Sequence, residues 1–66
     1  MQIQVNGERC EIPEGLNVSA LLAHLGLNAA RVAIERNLEI LPRSQWTSAM
    51  VAEGDRFEIV QFVGGG

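Results

Sequence analysis

A chain of 66 residues makes one domain, which buries about 60% of the surface its unfolded form exposes and cannot enclose a deep catalytic pocket beside a core. Its net charge is −3, with five arginines and no lysine, so it offers no basic patch for nucleic acid. A single cysteine and a single histidine exclude an internal disulfide and a Cys/His metal staple, and the core must come from the 47% of residues that are hydrophobic.

Met1 to Val5 alternates apolar and polar residues, which predicts a strand burying Ile3 and Val5. Asn6-Gly7 follows, a strong hairpin signal because both residues tolerate positive φ. The return strand is Glu8 to Ile12, with Cys10 and Ile12 on one side. Pro13-Glu14-Gly15 breaks the pattern. Asn17 is then placed to cap a helix, with Leu16 and Leu21 as a hydrophobic staple. Val18, Leu21, Leu22 and Leu25 make one apolar stripe. Gly26 suits the left-handed position after the helix, which lets Leu27 fold back toward Leu22.

Arg31 to Glu35 alternates again, burying Val32 and Ile34. Arg36-Asn37 is expected to turn, and Leu38 to Leu41 to form a short strand closed by Pro42. Arg43 to Met50 is expected as a loop or one helical turn, and Glu53-Gly54-Asp55 as another turn. The last strand, Arg56 to Val63, sets Phe57 and Ile59 on one face and Val60 and Phe62 on the other. A strand apolar on both faces is central in its sheet or turned toward a partner. Strands packed on one helix predict an α+β domain over 1–63, followed by a glycine tail at 64–66. The N-terminus does not read as a signal peptide, and no apolar run is long enough to span a bilayer. With one free cysteine, these features point to the cytoplasm and away from a membrane.

The tail carries the chemistry. Gly64, Gly65 and Gly66 have no side chains, so they can thread a channel that other residues would block. Extended, they reach about 10 Å. The reactive group is the carboxylate of Gly66, and adenylation would turn it into an acyl donor. The sequence has no phosphate-binding glycine loop, paired catalytic acids or Ser/His/Asp set. Another protein must supply the ATP site, so the chain reads as a carried substrate.

The element order and the terminal Gly65-Gly66 resemble the ubiquitin-like superfamily, with its β-grasp fold: a mixed sheet of four to five strands on one main helix. Glu35 to Trp46 narrows this further. Asn37, Ile40, Pro42, Arg43 and Trp46 match the Asn-x-x-Ile-x-Pro-Arg-x-x-Trp pattern of the sulfur carrier proteins of bacterial thiamine biosynthesis. Glu53 to Gly66 matches that family's Gly-Asp turn, last strand and tail. The resemblance implies that a ubiquitin-activating-type adenylyltransferase, using ATP and magnesium, adenylates Gly66. Sulfur derived from a cysteine desulfurase then displaces AMP and leaves a thiocarboxylate, which thiazole synthase consumes. The carrier itself would bind no cofactor or metal and would be no enzyme.

In ubiquitin-like folds the outer face near the tail docks to the adenylating enzyme, which assigns Val60 and Phe62 to a partner. Arg43 is a further candidate for partner contact, either with a carboxylate or merely solvated. Trp46 is expected to anchor the core edge through its indole N–H. Cys10 reads as a small half-buried residue with no neighbouring His or Lys to form a thiolate. His24 reads as a surface residue. Rival readings are a carrier for molybdopterin or tRNA thiolation, a ubiquitin-like protein modifier, or an interaction module with idle glycines.

Overall fold

The computed structural model describes residues 1–62. Within them the elements are β1 (Gln2–Val5), β2 (Glu8–Glu11), α1 (Val18–His24), β3 (Val32–Arg36), β4 (Glu39–Ile40) and β5 (Arg56–Gln61). Single 3-10 turns occupy Ala29–Arg31 and Arg43–Gln45. The strands form one mixed sheet in the order β2-β1-β5-β3-β4. β5 lies at its centre, parallel to β1 and antiparallel to β3. This is the β-grasp arrangement expected from the element order.

Period-two alternation puts Ile3, Val32, Ile34, Phe57 and Ile59 on the inner face, all buried. Against them α1 sets Val18, Leu21 and Leu22, each nearly inaccessible. Ile12, Trp46 and Val51 close the ends of this core. A fully buried Phe, Leu or Ile is worth about 1.5–3 kcal/mol over an exposed one, and these residues are the main source of stability in a domain so small.

The helix has only seven residues, too short to persist alone, so its ends matter. Asn17 caps it, the side chain accepting from Ala20 N at 2.7 Å. The N–H groups of Val18 and Ser19, which no helical turn can satisfy, donate to Ala49 O at 2.9 Å and Trp46 O at 3.0 Å. The irregular segment after Arg43 thereby completes the helix cap from elsewhere in the chain. At the other end Gly26 adopts φ 73°. Its N–H reaches Ala23 O at 3.1 Å, and Leu27 N–H reaches Leu22 O at 2.9 Å. That pair of bonds is the Schellman stop that glycine permits.

Several strand ends lie a residue or two from the sequence expectation: β2 stops at Glu11, β3 runs one residue later, and β5 is described to Gln61, Val63 lying outside the described residues. The second turn is Asn37-Leu38, with φ 52° and 72°, rather than Arg36-Asn37. Arg36 remains in β3, paired with Glu39. A two-residue hairpin needs positive φ at both central residues; Asn37 adopts it readily, and Leu38 is carried into it. Leu38 is therefore a turn residue, and β4 is shorter than Leu38–Leu41. The 3-10 turn at Ala29–Arg31 is a further element the pattern did not announce.

Candidate functional site

Because the inner positions of the sheet are apolar, the intervening side chains form the opposite, helix-free face. On β5 these are Arg56, Glu58 and Val60, with Phe62 just past its end. Val60 and Phe62 are 60% and 54% exposed, so nothing in the described residues covers them. Gly64, Gly65 and Gly66, the expected site of chemistry, lie outside the described residues. The described part of the site is the root from which they depart: the end of β5, where Phe62 N–H donates to Arg31 O at 2.7 Å.

The register lays this face out in rows. Val60 stands opposite Ala33, and Glu58 opposite Glu35. Glu35 in turn stands opposite Ile40 on β4, and Ile40 is 80% exposed. A groove of about 390 Å³ crosses these rows, with Glu35, Ile40, Pro42, Arg43, Glu58 and Val60 along its walls. Ile40 thus belongs to the same apolar surface as Val60, although in sequence it reads as part of a short strand and of the Asn-to-Trp pattern, with no sign of which surface it joins. The signal that could have found it is the alternation of β4 against β3, hidden because the turn lay one residue later than expected.

Arg43 and Trp46 flank the groove and act together. Trp46 is buried in the core, and its indole N–H donates to Leu41 O at 3.0 Å, the anchoring role expected of it. The Arg43 guanidinium lies 4.5 Å from the centroid of that ring, a cation–π stack. It donates to Val32 O at 2.9 Å and to Ala29 O. These bonds tie the entry of β3 to the exit of β4. Arg43 is therefore more than solvated: its guanidinium organises the groove wall while the residue remains exposed.

At the far end of β5 the Gly-Asp turn has a structural task. Asp55 is buried, yet every demand of its carboxylate is met. Arg36 approaches at 2.9 Å; Ala52 N–H donates at 2.8 Å and Asn37 Nδ2 at 3.3 Å. Cys10 is half-buried beside the core and opposite Ile3. His24 is exposed on the last turn of α1. Among the described residues no group of three His, Cys, Asp or Glu is placed to hold a metal ion, and no helix is long and apolar enough to cross a membrane.

Comparison with known proteins gives a consistent result. The model of the ThiS family matches residues 3–66. The sulfur carrier protein ThiS of Escherichia coli K12 is 35% identical over 66 residues, covering all of both chains. A protein named thiazole synthase from Paramagnetospirillum magneticum is 46% identical over 66 residues, but these make up only 20% of its length. The crystal structure of the thiamine biosynthesis protein ThiS from Geobacter metallireducens superposes with a TM-score of 0.85 at 38% identity, all of each chain being covered.

Proposed function

The chain belongs to the ThiS family, and from that membership we propose that it is a sulfur carrier of thiamine biosynthesis whose working group is the carboxylate of Gly66. The observation that carries this reading is the end-to-end match with the E. coli sulfur carrier, reinforced by a family match that runs through the glycines to residue 66. These matches favour the thiamine branch over the alternatives, a carrier for molybdopterin or tRNA thiolation or a protein modifier.

The chemistry proceeds in two exchanges. The carboxylate of Gly66 attacks the α-phosphate of ATP, and pyrophosphate leaves. A sulfur nucleophile then attacks the acyl carbon and AMP leaves, so that one oxygen of the carboxylate is replaced by sulfur. The first exchange takes place in a ubiquitin-activating-type adenylyltransferase that holds ATP and magnesium. The sulfur derives from a cysteine desulfurase as a persulfide, whose attack leaves an acyl disulfide; a second thiol then cleaves the S–S bond, becoming a disulfide itself, and releases the thiocarboxylate. The chain is a protein co-substrate in these reactions; it contributes a threadable tail and a docking surface, and binds no cofactor itself.

Thiazole synthase is the acceptor in this reading. Support comes from the P. magneticum protein of that name, one fifth of which is a relative of this entire chain; joining carrier and acceptor in one polypeptide would raise their effective concentration. The outer face beside β5, with Val60 and Phe62, is where the adenylating enzyme docks. The cytoplasm, where thiols and thiocarboxylates stay reduced, is the compartment that suits this work.

The test is the intact mass of the protein after incubation with the adenylating enzyme of the same cell, ATP and sulfide. The expected result is a gain equal to sulfur replacing one oxygen. An unchanged mass, with the enzyme active on a control carrier, would sink the proposal.

A further inference from the structure

The glycines that must carry Gly66 into an ATP site impose no direction of their own, because glycine restricts a backbone least. The heading of the chain is therefore set by the residues before them. Phe62 is the last described residue, and its N–H donates to Arg31 O at 2.7 Å. That acceptor lies outside the strand ladder. Gln61 pairs with Val32, the first residue of β3, whereas Arg31 belongs to the 3-10 turn Ala29–Arg31, so its carbonyl points where the turn directs it. The turn has local bonds: Arg31 N–H donates to Asn28 O at 2.9 Å, and Ala30 N–H to the Asn28 side chain at 3.0 Å. Arg43 adds a tie from a different element. Its guanidinium donates to Ala29 O, at the start of the turn, and to Val32 O at 2.9 Å, just past its end. One planar fork thus spans the turn, with the Trp46 ring 4.5 Å behind it. Trp46 is itself held in the core, its indole N–H bonded to Leu41 O.

We infer that Arg43 is a positioning residue for the reaction at Gly66: by holding the Ala29–Arg31 turn it aims the Arg31 carbonyl at Phe62, and so sets where β5 releases the tail. The inference rests on the carrier role proposed above and adds a residue to it. Arg43 acts through backbone hydrogen bonds within this chain, from its own fork to the turn and from the turn to Phe62. Without the bond to Arg31, Phe62 would join the glycines as unrestrained chain. The carboxylate would then stand in line with the α-phosphate less often, and a misplacement of about 1 Å at a reacting atom can cost about 100-fold in rate. Lysine is no substitute at this position. Its ammonium presents no rigid fork to two carbonyls and no flat face to the Trp46 ring.

The test compares the unaltered chain with Arg43→Met, which keeps an apolar stem over Trp46 and removes every donor. Two readouts separate positioning from general support of the fold. The first needs no enzyme. Amide hydrogen exchange should quicken at Phe62 by about tenfold or more, while Ile59, whose N–H is bonded to Asn6 Oδ1 at 2.7 Å, keeps its rate within about threefold. The second is ATP–pyrophosphate exchange by the purified adenylating enzyme, run well below the Tm of both chains. Its kcat should fall by about threefold or more, with KM for the carrier unchanged within about twofold. Arg43→Lys is read in the same way and covers the case in which the first variant does not fold. Equal quickening at Phe62 and Ile59 would make Arg43 a prop of the whole fold and overturn the inference. So would a Phe62 rate that changes by less than about tenfold, a kcat that falls by less than about threefold, or a rise in KM alone. If the unaltered chain itself supports no pyrophosphate exchange, the carrier role falls, and the Phe62 readout still decides whether Arg43 sets the end of β5.

Discussion

Two asparagines do more than turn the chain. Asn6 opens the first hairpin at φ 52°, and its side chain then behaves like an added residue of β1. Its Oδ1 accepts from Ile59 N at 2.7 Å and its Nδ2 donates to Ile59 O at 3.1 Å. Asn37 does the corresponding work on the other flank of β5. Its backbone N–H donates to Arg56 O at 2.8 Å, and its Oδ1 accepts from Arg56 N at 3.0 Å. The central strand is clamped on both sides by residues that sequence reasoning takes for turn formers alone. Substitution separates the two duties. Asn6→Gly keeps the turn and deletes the clamp, and should cost about 1–2 kcal/mol. Asn6→Ala loses the clamp and must also hold positive φ, adding about 1 kcal/mol. Urea unfolding of the two variants checks this; a neutral Asn6→Gly would mean that the amide clamp contributes nothing. The turn was legible because Asn-Gly is a local signal. The clamp was not, because its partner lies 53 residues away.

At the scale of elements, the helix shows what a sequence can and cannot announce. Asn17 and Gly26 were readable as its two ends, since capping chemistry is written within a turn of the helix itself. What completes the first turn was unreadable: the carbonyls of Trp46 and Ala49 arrive from a segment with no periodicity. The shifted second hairpin has the same cause in reverse. Leu38 has no turn propensity of its own, and it sits at φ 72° because the pairing of Arg36 with Glu39 leaves it no other place. The C-terminal stop of the helix allows a clean measurement. A Cβ at Gly26 would meet nothing within 4 Å, so Gly26→Ala adds no clash and changes only the backbone preference. It should lower stability by about 1 kcal/mol, seen as a lower midpoint in urea with an unchanged slope. A changed slope would mean that the substitution alters compactness as well.

On the scale of the whole molecule, fold and chemistry occupy separate stretches of chain. The buried core runs from Ile3 to Ile59, and the groove wall is braced from within by Arg43 and Trp46. The α+β class followed from hydrophobic alternation, which is a property of the chain. Apolar residues on both faces of the last strand allowed a central position or a face turned to a partner; β5 is central with Val60 and Phe62 exposed. The exposed apolar surface did not follow fully, because Ile40 joins Val60 only through the pairing of β4 with β3 and β3 with β5. Such a division predicts that stability and carrier activity can be lost independently. A chain cut after Val63 removes none of the core residues, so its Tm should match that of the full chain. Its mass should not change with adenylating enzyme, ATP and sulfide, because a terminal valine cannot bring its carboxylate through a passage shaped for glycine. It should still bind the enzyme through the outer face at Val60 and Phe62, and so compete with the full chain for sulfur loading. A truncated chain that fails to compete would place the binding energy in the glycines and not on the sheet.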